Sequence, residues 1–295
     1  MSTPVTSVVP PRKIAEDNEF TSEHHVYEPH RVGLPKLGPY FRELWRRRHF
    51  AIELGRTSMR ANQTQTFFGQ LWLVINPLLL AGVYFLLVNV VSGHHQTLTY
   101  FAHLVAGLFA FYFIAGCMNT GAQSVVGGGR LIMNTAFPRL LLPLSAVYTA
   151  IRRFLPTMII YFVLHFAAGL PASPKLLWAI AIYAEMVLFA TGLAFITSTL
   201  QVYFRDTSSF LPYLTRIWLY LSPVLYYVED MKGTLRHFIY INPLVPILGN
   251  WGRVLTENKE PEFKYLIAGL IWGLATAGAG ALFFMSRERE FAVRL

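Results

Sequence analysis

Six long stretches of this chain, at residues 71–91, 100–119, 140–169, 176–200, 210–227 and 265–285, are built almost wholly of uncharged residues. Most are long enough for the ~20 residues with which a helix crosses ~30 Å of hydrocarbon. Inside a bilayer every backbone N–H and C=O needs a partner within the chain. The pattern therefore predicts an all-α integral membrane protein of six transmembrane helices. Composition agrees, with 54% hydrophobic and 14% charged residues, which excludes a water-soluble domain around one core. The first long apolar run begins near Leu71, so no cleavable leader is expected. Cys117 stands alone within an apolar run, so neither an intrachain disulfide nor a cysteine metal site is expected.

A net charge of +9 raises nucleic acid as a partner, but its placement argues for membrane lipids instead. Ten of the 25 Lys and Arg residues precede Gln65, and Arg130, Arg139, Arg205, Arg287, Arg289 and Arg294 stand at the ends of apolar runs. Loop 92–99 has no Lys or Arg and loop 170–175 has one, so the basic loops mark the cytoplasmic side. A multi-pass protein of the cytoplasmic membrane with both termini in the cytoplasm follows, and no nucleic acid is expected. Segment 228–264 strains the rule: Lys232, Arg236, Arg253, Lys259 and Lys264 are basic, although the segment falls on the external side.

Three segments are read along the chain. Residues 1–36, rich in Pro, Glu, His and Ser, form a mobile cytoplasmic tail. Residues 37–66 form an amphipathic interface helix and connector, with Leu37, Tyr40, Phe41, Leu44, Trp45 and Ile52 on one side and Arg42, Glu43, Arg46 and Arg47 on the other. Such a helix suits the cytoplasmic headgroups or the surface of a partner domain. Residues 67–295 form the transmembrane domain. Within it, residues 239–255 (IYINPLVPILGNWGRVL) are too short to span. A proline-broken helix that enters the outer leaflet and returns as a gate fits this stretch; so does a helix resting on the external surface.

The residues of an energy-converting or catalytic site are missing. No Gly-Lys dipeptide exists for a phosphate-cradling loop, and Gly127-Gly128-Gly129-Arg130 reads as the end of the second span. No HExxH, EF-hand, Cys/His cluster or GxSxG motif occurs, and His24-His25 and His94-His95 would bind metal weakly. Catalytic residues, metal ligands and cofactors are not expected in this chain; another polypeptide would supply the work.

Charges within the spans are costly and face protein or water. Arg152 and Arg153 in span three fall at the depth of Glu185 in span four, which leaves two readings: an ion pair between helices, or a seat for an anionic headgroup such as pyrophosphate. On span five, Tyr213, Arg216, Tyr220 and Tyr227 share one helical face, a column on which sugars could stack. An interfacial aromatic belt accounts for Tyr226 and Tyr227 equally well.

A set of short motifs completes the reading: Phe68-Gly69-Gln70-Leu71-Trp72 with Asn76-Pro77; Leu131-Ile132 with Phe137-Pro138-Arg139 and Leu142-Pro143; Tyr203-Phe204-Arg205-Asp206; Ser222-Pro223-Val224; and Asn242-Pro243 with Pro246 and Arg253. In this order the chain resembles the membrane subunits of ABC-2 type polysaccharide exporters, the Wzm-like permeases of O-antigen, teichoic acid and galactan export. The resemblance implies a homodimer beside two ATP-binding subunits that hold ATP and Mg²⁺, and a polyprenyl-pyrophosphate-linked polysaccharide as cargo. It implies a channel formed largely by spans one and five, lined by Tyr84, Tyr213, Arg216, Tyr220 and Tyr227. A coupling segment over 125–137, with Arg130, Leu131, Ile132 and Phe137, would seat on the ATPase, and Arg205 and Asp206 would occupy the second cytoplasmic turn. Asn242, Pro243, Pro246 and Arg253 would belong to external re-entrant helices between spans five and six. Ile132→Asp is then expected to abolish coupling. The usual Arg-Tyr-Lys run before Gly69 is replaced by Met59-Arg60-Ala61-Asn62, while the long tail and the double arginine are similar to the actinobacterial galactan branch.

Three alternatives make different demands. An ABC-2 drug or lipid exporter would have a more apolar conduit. A membrane-embedded glycosyl- or acyltransferase would draw on Asp206, Glu229, Asp230 and His237, which form no known catalytic spacing. A proton-coupled carrier would use Glu185.

Overall fold

The computed structural model describes residues 34–61, 71–92, 97–228 and 241–295. The expected tail, the motif at 68–70, His94-His95 and the basic and acidic residues at 229–237 fall outside the described residues.

The described regular structure is all helical. The chain opens with α1 (Leu37–Arg46) and α2 (Arg48–Ala61), so the single amphipathic helix expected here is broken at Arg47. Its apolar face is also divided: Tyr40 and Leu44 pack inward, whereas Leu37, Phe41 and Trp45, four residues apart, stay exposed. Next come α3 (Trp72–Ser92), α4 (Leu98–Gly127), the short α5 (Gly129–Asn134), α6 (Leu141–Ala167), α7 (Trp178–Tyr203) and α8 (Thr207–Tyr220). The chain ends with α9 (Leu244–Leu255), α10 (Phe263–Arg287) and α11 (Phe291–Arg294).

Among the described residues four helices are long and apolar enough to cross a membrane: Leu98–Gly127, Leu141–Ala167, Pro174–Tyr203 and Phe263–Arg294. The apolar part of α3, Val74–Val90, is shorter. Expected span five differs most. α8 has 14 residues, which at 1.5 Å each is roughly 21 Å, and the chain then turns through Ser222-Pro223. A proline disfavours helical geometry in the residue before it, so the helix stops there and does not run to Tyr227.

The pillar of the bundle is α4, which extends past Asn119, where the second span was expected to end, and stops at the predicted glycines. It packs on α6 and α7, and α7 packs on α10. Small residues permit these contacts, as is usual where lipid offers helices no hydrophobic drive to associate. A Cβ on Gly192 of α7 would lie 2.2 Å from the carbonyl carbon of Thr276 on α10, and one on Gly121 of α4 would lie 2.7 Å from the Ala194 Cβ on α7. At one end of the bundle a second apolar cluster gathers Val125, Ile132, Leu140, Leu142, Phe195, Val202, Phe284 and Phe291, with Tyr40 and Leu44 of α1 against it.

Candidate functional site

A groove of ≈ 610 Å³ runs between α3, α4 and α8. From α3 it takes Asn76, Leu80 and Tyr84; from α4 Phe111, Tyr112, Ala115, Gly116 and Asn119; from α8 Pro212, Thr215, Arg216, Leu219 and Tyr220. The Tyr84 hydroxyl donates to the Tyr220 hydroxyl at 3.3 Å, and the two rings meet edge to face with centroids 6.3 Å apart. The wall is thus amphipathic: phenols, amides, a hydroxyl and one guanidinium set among aliphatic and aromatic faces. Such a surface holds a polar chain by stacking and by replaceable hydrogen bonds without one deep pocket.

Tyr84, Arg216 and Tyr220 come together in this groove. Tyr213 stands on α8 with 67% of its surface exposed, outside the groove lining. Tyr227 lies elsewhere, because α8 ends before it. Its ring packs 4.1 Å from His103 and 6.2 Å from Tyr100. Tyr112, Asn76 and Asn119 were missed; their sequence signal was polarity inside apolar runs.

The intramembrane charges do not pair. Glu185 is 7% exposed and turned toward α10, where a Cβ on Gly269 would come within 2.4 Å of its Oε2. Arg152 is exposed, and Arg153 lines a separate cavity between α3, α4 and α6. Equal depth in the membrane placed these groups level; the faces of their helices keep them apart.

At the end marked by the second apolar cluster, α5 presents Arg130 and Met133 outward, Met133 being 67% exposed, while Ile132 at 7% is part of the core and Leu131 packs against it. The Phe137 ring lies 5.1 Å from Phe50 of α2, and Arg47 donates to the Ala136 carbonyl at 2.7 Å. Between α7 and α8, Arg205 and Asp206 form an exposed turn. That turn is held by Gln201, whose carbonyl accepts the Ser208 N–H at 2.7 Å and whose amide donates to the Arg205 carbonyl at 2.9 Å. The C-terminal segment binds these parts together. The Tyr40 hydroxyl donates to Glu288 at 2.6 Å, Arg139 donates to the Glu288 carbonyl, and the Arg205 guanidinium stands 3.5 Å from the Leu295 carbonyl oxygen. Burial, and then the Glu288 carboxylate, push the Tyr40 phenol above its ordinary range, so it remains a donor. Burial also pulls Arg139 below its ordinary value, against the opposing pull of Glu288 and Tyr40.

At the opposite end α9 is buried along most of its length, which departs from a helix resting on the surface. Nor do its prolines break it: Pro243 is the N-cap and Pro246 lies in the first turn, where backbone N–H groups have no intrahelical acceptor. Its asparagines pin both ends. The Asn242 carbonyl accepts from Trp218 Nε1 at 2.9 Å and from the Leu244 N–H at 3.0 Å, while its amide donates to the Leu221 carbonyl at 2.9 Å. Asn250 exchanges two bonds with the Glu262 backbone, and Arg253 donates to the Glu260 carbonyl at 2.9 Å. Trp251 Nε1 donates to the Ala106 carbonyl of α4 at 3.0 Å.

Residues 53–250 match the model of the ABC-2 type transporter family. The chain belongs to that family. This ABC-2 chain is also 29% identical over 242 residues to an O-antigen export system permease protein RfbA of Klebsiella pneumoniae, covering 82% of the present chain and 93% of that protein. It is 27% identical over 255 residues to a protein of the same name from Myxococcus xanthus, covering 85% and 97%. The ABC-2 assignment makes it the membrane subunit of a transporter, and the groove, the basic end and the buried α9 are features of that subunit.

Proposed function

We propose that this chain forms the passage of an exporter that carries lipid-linked polysaccharide, of O-antigen or galactan type, across the cytoplasmic membrane. Two copies make the membrane unit, and two separate ATP-binding subunits hold ATP and Mg²⁺. The groove between α3, α4 and α8 carries this reading, because tyrosine rings, amides and Arg216 suit a glycan better than an apolar solute does. The printed names of the relatives support the cargo class. Six spans are reached by α3, α4, α6, α7, α8 with the turn that follows it, and α10; both termini lie in the cytoplasm, and α9 is the re-entrant element of the outer leaflet. In support, α1, α5, the Arg205 turn and the C-terminal residues converge on one basic end, while α9 joins the other ends of α4, α7 and α10.

The test is transport by the chain reconstituted in proteoliposomes with its ATP-binding partner. ATP-dependent movement of a lipid-linked glycan is expected. Movement of apolar dyes with no glycan transport would overturn the proposal in favour of a drug or lipid exporter.

A further inference from the structure

Arg153 raises a problem that the groove does not solve. It is the thirteenth of the 27 residues of α6, roughly 18 Å along the helix from Leu141. A guanidinium at that depth needs water, an acid or a bound anion. Glu185, the one acid within the neighbouring helix α7, faces α10, and among the described residues Arg153 makes no ion pair or hydrogen bond.

What Arg153 does line is a cavity of ≈ 130 Å³, shared with Pro77 of α3, with Tyr112, Gly116 and Thr120 of α4, and with Thr149 and Thr157 of α6. One water needs only ~10–15 Å³ on this measure. The three threonine hydroxyls donate to carbonyls of their own helices, at 2.6, 2.9 and 2.6 Å. The donors left for a ligand are therefore the guanidinium and the Tyr112 phenol. Among the described residues no carboxylate lines the space, so the ligand it suits is an anion with several acceptor oxygens. The remaining walls are the rings of Phe109, Phe113 and Phe154, and farther along α6 Leu155, Ile159 and Val163 point outward. A charge-binding centre with apolar surroundings fits a phosphate that arrives on a lipid better than a free ion.

The cavity also adjoins the groove. Tyr112 and Gly116 line both spaces, and a Cβ on Gly116 would meet nothing within 4 Å. We propose that the Arg153 cavity seats a lipid-borne phosphate on the flank of α3, and that the open space at Gly116 lets this group pass toward Arg216 in the groove. The second half rests on the export reading of the groove.

The experiment titrates undecaprenyl pyrophosphate without sugar into the complex with its ATP-binding partner, in phosphatidylcholine nanodiscs, and measures glycan export in parallel. Arg153→Gln should weaken lipid binding roughly tenfold or more, with Arg153→Lys between the two. Competition by phosphatidylglycerol that depends on Arg153 would support a seat for lipid phosphates at large. Inorganic pyrophosphate competing as well as the lipid would overturn a lipid-borne ligand, and unchanged binding by both Arg153 variants would overturn the seat. Arg216→Gln leaves the lining of the Arg153 cavity intact, so it should keep lipid binding and lose export; normal export would overturn the passage toward Arg216. Arg153-dependent binding in a wild-type complex that exports no glycan would uphold the seat while refuting the export reading.

Discussion

Tyr40 donates its hydroxyl to Glu288, 248 residues away in the chain, and so ties the first described helix to the turn between α10 and α11. Tyr40→Phe leaves a buried carboxylate oxygen without its donor, at a cost of about 1.5–3 kcal/mol for a bond to a charged group. A lower Tm of the purified complex, with no change in its oligomeric state, is the expected result. Gly192 tests close approach in the same way. Its α10 neighbour is backbone and cannot swing aside, so Gly192→Val should cost 1–3 kcal/mol or more through overpacking. Gly278→Ala, which meets open space, should hold or slightly raise the Tm, since alanine favours a helix over glycine by about 0.5–1 kcal/mol; a fall equal to that of Gly192→Val would refute the α7–α10 contact. Single residues were only partly readable beforehand. Counting along a helix gives only an expected depth, which is why Arg153 and Glu185 are read as level. The azimuth at which each side chain leaves its helix depends on neighbours remote in the chain, and it separates them.

At the scale of elements, α5 decides how coupling to a motor should be probed. Its outward face is Arg130 and Met133, whereas Ile132 belongs to the core. Ile132→Asp would bury a charge and damage folding, so its effect on ATP hydrolysis would say little about docking. Met133→Asp is the cleaner variant. It should preserve expression and assembly while reducing substrate-stimulated ATP hydrolysis by the complex; full stimulation would remove α5 from the docking surface. The elements whose limits were misread were those limited by local chemistry. Pro223 shortens α8, Arg47 divides α1 from α2, and the prolines of α9 sit where a helix begins. The long spans were legible, because length and the absence of charge suffice to specify them.

In the whole molecule, the export reading proposed above takes the groove as the path of the glycan. Replacing Tyr220 with Leu removes the hydroxyl that meets Tyr84 and a ring facing the groove. Glycan export should slow while assembly and basal ATP hydrolysis persist, and an undiminished rate would take Tyr220 out of the path. What the sequence determined alone is the helical membrane architecture, since hydrocarbon leaves uncharged runs of this length no better way to satisfy their backbones. It also determined the basic end and the ABC-2 motifs, which are local. The tertiary structure alone decided that Tyr112 joins Tyr84 and Tyr220, that Tyr227 packs on His103, that Glu185 faces glycine and that Arg153 faces a cavity. These outcomes depend on how helices rotate against one another, and that rotation is set by small residues such as Gly121, Gly192 and Gly269, whose close contacts lie far away along the chain.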